Sequence, residues 1–145
     1  MTIGLLGLIH RRPEVAPDAT VRETTHLMAH AQIGAIAVRQ GATLVGLFTE
    51  RDLLKRVVAA GRDPDTTLVR DVMTTDIVSV ADLTSVADAA AVMRVHHMRH
   101  LVIVDEAGHY LGILAQRHLL YELMSELSMK VDDLTGYVMA DGPGG

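Results

Sequence analysis

Thr49 and Asp52 are the residues whose types and spacing most clearly suggest chemistry in this 145-residue chain. They follow a short apolar run, in the stretch Gly46-Leu47-Phe48-Thr49-Glu50-Arg51-Asp52. A hydroxyl followed three residues later by a carboxylate is typical of a helix N-terminus, where both side chains satisfy backbone N–H groups. The same carboxylate is also suited to accept hydrogen bonds from two ribose hydroxyls, with Thr49 assisting. The sequence leaves both interpretations open.

A second group of polar residues is basic. Arg99 and His100 follow His96-His97-Met98, and Arg117 lies just after Gln116, where a helix is predicted to begin. Guanidinium groups bind phosphate through two N–H donors, and a helix N-terminus adds a favourable dipole. These residues are therefore suited to hold an anion, although the alternative is that Arg99 and Arg117 are solvated surface charges.

Other chemistries find no support in the sequence. His26 and His30 share one predicted helix face, but the chain has eight histidines and no cysteine, and it lacks a His-Glu-x-x-His pattern. We therefore expect no metal site. No nucleophile elbow, phosphate-binding Walker loop or dinucleotide fingerprint occurs, so we expect no enzymatic activity.

Composition narrows the range of partners and surroundings. The net charge is −5 and the pI is near 5.8, which argues against nucleic acid and anionic membranes as partners because both require a basic face. The absence of cysteine fits a reducing cytoplasm. The apolar run Ile3–Ile9 is too short to span a bilayer and lacks the flanks of a signal peptide. We expect a soluble, cytoplasmic protein.

An internal repeat organises the elements that must position these residues. The second half repeats the apolar pattern of the first at an offset of 65 positions, which becomes 66 after one inserted residue near Ala107. The matching pairs are Val15-Ala16 with Val80-Ala81, Val21 with Val86, Met28 with Met93, Gly46 with Gly112, and Arg51 with Arg117.

Each copy has the predicted order strand, helix, strand, strand, helix. Thr20 and Glu23 form a capping-box pattern at the first helix, and Gln40–Thr43 reads as a hairpin turn. The remaining predicted elements are strands Ala35–Arg39, Leu44–Phe48, Ile77–Val80, Leu101–Val104 and Tyr110–Leu114, and helices Glu50–Ala60, Thr84–His97 and Gln116–Lys130.

These elements predict a mixed α/β (α+β) fold. Repeat 1 is expected over residues 1–66, repeat 2 over 67–130, and a loosely held tail over 131–145. One copy is close to the lower size limit for independent stability. We therefore expect the two copies to pack through their sheets with pseudo-twofold symmetry, leaving clefts at the seam that suit a ligand.

The duplicated unit resembles the cystathionine-β-synthase (CBS) domain family. The resemblance rests on the repeat, on the Gly46…Thr49…Asp52 pattern and on Arg70-Asp71-Val72-Met73-Thr74 opening the second copy, and it covers roughly Leu5 to Ser128. It implies a tandem pair, or Bateman module, in a stand-alone protein. Such modules are usually sensors of adenosine-containing ligands: AMP, ADP, ATP, S-adenosylmethionine and sometimes NAD. The resemblance implies that Thr49 and Asp52 bind ribose.

The resemblance also implies roles for other residues. The second copy is similar to the kinase-regulating γ subunits, which places Arg99, His100 and Arg117 at the phosphate, with the Arg-His order reversed. Titration of His100 is then expected to make phosphate affinity fall as pH rises. The adenine slot is implied at Val15, Pro17, Ile36 and Ala37, with plain core strands as the alternative.

The second copy departs from the pattern, because Ala115 and His118 replace the hydroxyl and the carboxylate. We therefore expect one good ribose site per chain, made of sugar-binding residues from copy one and phosphate-binding residues from copy two. The expected partners are the nucleotide, a second module in a flat homodimer and an effector protein of unknown identity. The alternative function is a ligand-free dimerisation or docking module.

Overall fold

The computed structural model describes residues 4–9 and 12–140, and for residues 136–140 it describes the backbone alone. Residues 1–3 and 141–145, which belong to the predicted apolar N-terminal run and to the predicted tail, lie outside the described residues. The helices are α1 (Val21–Ala31), α2 (Glu50–Asp52, continued as a π-helix over Leu53–Val58), α3 (Val86–His96) and α4 (Gln116–Ala140). The strands are β1 (Glu14–Val15), β2 (Ala35–Gln40), β3 (Thr43–Thr49), β4 (Ser79–Ala81), β5 (His100–Val104) and β6 (Tyr110–Ala115).

The strands form two three-stranded sheets of the same topology, β1-β2-β3 and β4-β5-β6. In each sheet the first pair is parallel and the second is an antiparallel hairpin. The hairpins even share an irregularity in register, between Val38 and Arg39 in one and between Ile103 and Val104 in the other. The predicted mixed fold of two equivalent repeats is confirmed.

The helix ends also repeat. Thr20 accepts a hydrogen bond from Glu23 N at 3.1 Å, and the Glu23 carboxylate bonds back to Thr20 N, which confirms the predicted capping box. Ser85 caps α3 in the same way through the backbone of Asp88. Local side-chain chemistry thus sets where both helices begin.

The two hydrophobic cores exchange segments. Val69 and Val72, which follow the predicted boundary at residue 66, are buried in the core of copy one. Leu5, from the other side of that boundary, is fully buried in the core of copy two, and Leu8 packs against it. The segment just before copy two thus enters the core of copy one, and the segment just before copy one enters the core of copy two. A division of the chain at residue 66 therefore does not separate the two cores.

The sheets face each other, as expected from two copies that each have an apolar sheet face. Ala37 and Leu47 from one sheet pack against Val102 and Ile113 from the other. Burial of this seam holds the two halves together, since removal of apolar surface from water is the main favourable contribution to folding.

Several predicted ends are wrong. The helix predicted from Thr84 begins at Val86, after the cap at Ser85, and the helix predicted to end at Ala60 ends at Val58. The strand predicted over Ile77–Val80 begins only at Ser79, because β4 pairs with β5 over Ser79–Ala81 alone. The helix predicted to end at Lys130 continues to Ala140. No proline or glycine separates Lys130 from Thr135, and Val131 and Leu134 continue the apolar spacing of the helix, so nothing local stops it.

Candidate ligand-binding site

A cavity of about 630 Å³ lies between the two halves. Thr49 and Asp52, at the start of α2 in copy one, line it together with Arg99 and His100, at the start of β5 in copy two. The structure thus brings four of the sequence-predicted site residues to one place. We call this space the seam cavity.

Asp52 is the buried carboxylate of the seam cavity, with 5% of its surface exposed. Its Oδ2 accepts from Thr49 N at 3.0 Å, while Thr49 Oγ1 accepts from Asp52 N at 3.2 Å. The capping interpretation of this pair is therefore confirmed. Since the cap engages one carboxylate oxygen and a single backbone N–H, it leaves the ribose interpretation open.

Thr74 is a partner of Asp52 that sequence reasoning missed. Its hydroxyl donates to the Asp52 carboxylate, at 2.9 Å from Oδ1 and 3.0 Å from Oδ2. The backbones of Thr74 and Leu47 bond reciprocally at 2.9 and 2.7 Å, which holds Thr74 beside the end of β3. Arg56 Nε adds a weaker contact at 3.6 Å from Oδ1.

Gly46 is a sequence signal for the close contact between Thr74 and the end of β3. A Cβ at Gly46 would overlap the side chain of Met73 and meet the carbonyl of Thr74 at 3.0 Å. Because Gly46 has no side chain, the 69–74 segment is able to pack directly against β3. That segment in turn delivers the Thr74 hydroxyl to Asp52.

The His100 imidazole is neutral at pH 7. Burial, followed by the charges of Arg12, Arg117 and Arg99, lowers its pKa from 6.5 to about 4. The expectation that His100 titration weakens phosphate binding as pH rises through neutrality is therefore not supported, because the imidazole is neutral on both sides of pH 7.

Arg117 does not line the seam cavity. Its guanidinium donates to the carbonyl of Gln32 at 3.3 Å, so it joins α4 of copy two to the end of α1 in copy one. The seam cavity instead includes Arg51 and Lys55 from α2, which are exposed. Arg51 and Lys55 are four residues apart on the helix that carries Asp52, and sequence reasoning did not use this spacing to place positive charge at the cavity.

The residues implied for the adenine slot lie elsewhere. Val15 and Ile36 are buried in the core of copy one, and Ala37 is buried in the seam between the sheets. Pro17 is half-buried, and its carbonyl accepts from Arg70 N at 3.2 Å. None of the four is among the residues that line the seam cavity, so here the geometry agrees with the core-strand alternative.

An apolar wall does line the seam cavity, formed by other residues. Leu47 and Leu54 come from copy one, Ile77 and Val78 come from the start of copy two, and Met98 lies between α3 and β5. Ile77 and Val78 are half-buried and precede β4, an edge strand paired only with β5.

The equivalent place in copy two has the same backbone and different side chains. Gln116 N donates to the carbonyl of Arg99 at 2.8 Å, as Glu50 N donates to that of Gly34 at 3.0 Å. Ala115 stands where copy one has Thr49, and it is buried. No group of three or more potential metal ligands occurs among the described residues.

Comparison with known proteins identifies the family. The CBS domain model matches residues 8–59 and 69–125. The chain belongs to the CBS domain family. Its tandem pair is similar to the CBS domain-containing protein YhcV of Bacillus subtilis, at 39% identity over 114 residues, which cover 79% of this chain and 80% of YhcV.

Solved structures of CBS proteins share the fold. A protein with CBS domains from Burkholderia ambifaria superimposes with a TM-score of 0.79 at 28% identity, over 86% of this chain and 95% of that one. A CBS domain protein from Pyrobaculum aerophilum complexed with AMP gives a TM-score of 0.71 at 30% identity, over 85% of this chain and 99% of that one. The resemblance stated from the sequence is confirmed.

A search for membrane-spanning helices adds one finding. Within the described part of the chain, no helix combines the length and the apolar content that crossing a bilayer requires. The extended α4 is long enough, but acidic residues such as Glu122, Glu126 and Asp132 interrupt its sequence.

Proposed function

We propose that this CBS pair is a non-catalytic regulatory module that binds an adenosine-containing ligand of the AMP, ADP or ATP class in the seam cavity. One observation carries the proposal. A buried carboxylate from copy one and the Arg99 guanidinium from copy two line the same cavity. A nucleotide is a molecule that requires both, because its sugar donates hydrogen bonds and its phosphate accepts them.

The ribose end would lie at Asp52. A carboxylate offers about four lone-pair sites, and here Thr49 N and the Thr74 hydroxyl already use part of that capacity. Ribose hydroxyls would therefore take the remaining sites and compete with Thr74. Thr49, which caps α2, holds the Asp52 backbone in place rather than serving as the main ribose acceptor.

The phosphate end would lie toward Arg99 and His100. Arg99 is exposed, so its guanidinium is free to turn toward an anion. A neutral His100 serves as a hydrogen-bond donor, and a nearby phosphate would raise its pKa by favouring the protonated form. Arg51 and Lys55 supply further positive charge at the same cavity.

The adenine would lie against the apolar wall rather than in the slot first implied. Ile77, Val78 and Met98 are half-buried, so a planar base would cover apolar surface that now faces the cavity. The related CBS protein from Pyrobaculum aerophilum, 30% identical, is complexed with AMP, which supports this ligand class.

Regulation would follow from the position of the seam cavity. If the two halves pack in two alternative arrangements, a ligand that contacts both halves favours the arrangement that binds it more tightly. The shift in population is limited by the difference between the ligand's affinities for the two arrangements. A homodimer partner or an effector protein in the cytoplasm would then sense the change through the exposed apolar faces of α2 and α4. These faces contain Leu54, Val58, Leu120, Met124 and Leu127.

Calorimetric titration with AMP, ADP, ATP, S-adenosylmethionine and NAD tests the proposal. At least one ligand should bind the wild type and raise its melting temperature, since a ligand at 100 times its dissociation constant stabilises by about 2.7 kcal/mol. Asp52→Asn, which keeps the size of the side chain, should lose binding, and Arg99→Gln should weaken only ligands that carry phosphate. His118→Ala is the matched control at the equivalent position of copy two and should bind normally.

The second candidate function is a ligand-free docking module. The exposed apolar residues of α4 favour it, since five of them follow one another with the spacing of a single helix face: Leu120, Met124, Leu127, Val131 and Leu134. Absence of heat and of a thermal shift with all five ligands, together with a dimer in light scattering, would favour this function over nucleotide binding.

A further inference from the structure

A second cavity of about 630 Å³ lies at the rim of the two sheets, and no residue lines both cavities. It is formed by the 3₁₀ turn at Leu5–Leu8, by the chain that enters β1, and by the hairpin strands β2 and β6. We call it the rim cavity. Its polar residues are Arg12, Glu14, Arg39 and Tyr110.

Arg39 is held firmly on one wall of the rim cavity. Its Nη1 donates to both oxygens of Glu14, at 3.1 and 3.0 Å, and its Nη2 donates to the carbonyl of Ala42 at 3.1 Å. The guanidinium carbon also lies 5.2 Å from the centre of the Tyr110 ring. Glu14 therefore neutralises Arg39, and both are fixed before any ligand arrives.

Arg12 lacks such a counter-charge. Its Nη1 is buried and meets no hydrogen-bond acceptor among the described residues. Burial, followed by the charge of Arg117, lowers the pKa of Arg12. A buried guanidinium N–H group without an acceptor is costly, and an anion bound there would satisfy it.

Tyr110 adds a neutral donor. Burial, followed by the charge of Glu14, raises the pKa of the Tyr110 phenol to about 12. The phenol therefore stays protonated at pH 7 and is able to donate a hydrogen bond. With two guanidinium groups against one carboxylate, the rim cavity has a net positive charge at that pH.

The repeat shows that the fold does not require these charges. At the equivalent places in the other half, 65 or 66 positions away, Arg12 corresponds to Ile77, Arg39 to Val104, and Tyr110 to Leu44. Those three residues pack against the apolar seam, as Tyr110 also does. The equivalent positions thus carry apolar side chains in one half, and two arginines and a tyrosine in the other.

We propose that the rim cavity binds a small oxyanion, a phosphate or a carboxylate, between the Arg12 guanidinium and the Tyr110 phenol. Arg39 and Glu14 form the rigid wall behind it, and Ile9 and Ile113 supply an apolar floor for the rest of the ligand. This site is independent of the seam cavity, so either proposal can fail without the other.

Inorganic phosphate and acetate, titrated separately at constant ionic strength, test the site. The readout is the NMR signal of the Arg39 Nε–H group and of the Tyr110 ring. We expect a saturable shift with at least one of the two anions. Saturation by phosphate alone assigns the site to phosphate groups, and saturation by acetate alone assigns it to carboxylates.

Four variants make the test decisive. Arg12→Gln should raise the dissociation constant about tenfold or more, because a charged hydrogen-bond partner is lost. Tyr110→Phe, which removes only the hydroxyl, should raise the dissociation constant several-fold. This variant provides the test if Arg12→Gln does not fold. Arg22→Gln, at an exposed arginine paired with Asp65, is the matched control and should bind as the wild type does.

The fourth variant, Arg99→Gln, removes the basic side chain proposed to hold phosphate in the seam cavity and should leave the Arg39 and Tyr110 shifts intact. Non-saturable shifts, or equal dissociation constants in the wild type, Arg12→Gln and Tyr110→Phe, would overturn the proposal.

Discussion

The helix that begins after β3 and the helix that begins after β6 start from the same backbone and differ in chemistry. The first N–H of each helix donates to the carbonyl one position before the central strand, from Glu50 to Gly34 in copy one and from Gln116 to Arg99 in copy two. At the first helix, Thr49 and Asp52 form a reciprocal cap beside a cavity. At the second, Ala115 and His118 stand in their places. Duplication thus preserves geometry while two side chains decide what each half is able to bind.

The largest expected effect comes from removal of the buried carboxylate. Asp52→Ala should lower the free energy of unfolding by about 2 kcal/mol, because the cap is lost and the Thr74 hydroxyl loses its acceptor. Urea denaturation measures the change. Asp88→Ala is the matched control, since Asp88 occupies the same third helical position in α3 and is exposed. It should cost less than about 0.5 kcal/mol, and equal losses would contradict the account of Asp52.

Transfer of the cap to copy two sharpens the comparison. The double variant Ala115→Thr/His118→Asp should raise the free energy of unfolding by about 1 kcal/mol, because the start of α4 gains the cap that α2 has. Under the proposed function, calorimetry should also show a second ligand bound per chain. His118→Asp alone lacks the hydroxyl partner and should give neither effect. Destabilisation by the double variant would show that the two helix starts differ by more than these residues.

Thr74→Val tests the competition for Asp52. The valine keeps the shape of the side chain and removes the hydroxyl that contacts both carboxylate oxygens. Ligand affinity measured by calorimetry should rise about fivefold, since the loss of one competing hydrogen bond is worth about 1 kcal/mol. A lower affinity would mean that Thr74 orients Asp52 for the ligand instead of competing with it.

The effect that is absent at neutral pH and develops only in acid concerns His100, which has no titratable counterpart in copy one, where Ala35 occupies the equivalent position. Because the folded pKa, about 4, is below the usual value of 6.5, the unfolded chain binds the proton more readily between these values. The stability that His100 contributes is therefore complete above pH 6.5 and is lost as pH falls toward 4. NMR should give an imidazole midpoint near 4 in the ligand-free protein. Relative to His100→Gln, the unfolding free energy should decline more steeply below pH 6.5, and a midpoint near neutrality would contradict this.

Most of the fold was predictable because its signals are local and repeated. The capping pair Thr20 and Glu23 and the hairpin turn at Gln40–Thr43 follow from neighbouring residue types, and the offset of 65 positions follows from comparison of the two halves of the sequence. Thr49 and Asp52 carried their own signal for the same reason. The helix end at Lys130 was misplaced because no local feature marks it.

The rest of the site depends on contacts between distant segments. Thr74 reaches Asp52 from 22 positions away, and Arg117 is drawn to Gln32 instead of the cavity. Val15 and Ile36, which were implied for the adenine slot, lie in a core, and residues of these types look alike in sequence whether they line a cavity or a core. Burial of His100 beside three arginines, which sets its pKa, has no local signature.

The amino-acid sequence by itself determined the duplicated α/β unit, the starts of α1, α2 and α4 and the asymmetry between the two copies, because hydrophobic periodicity and capping act over a few residues. Only the tertiary structure decided which side chains share a cavity and which core each connecting segment enters. The physical reason is that sheet-to-sheet packing and the exchange of the 5–9 and 69–74 segments bring together residues whose separation along the chain carries no information about their distance in space.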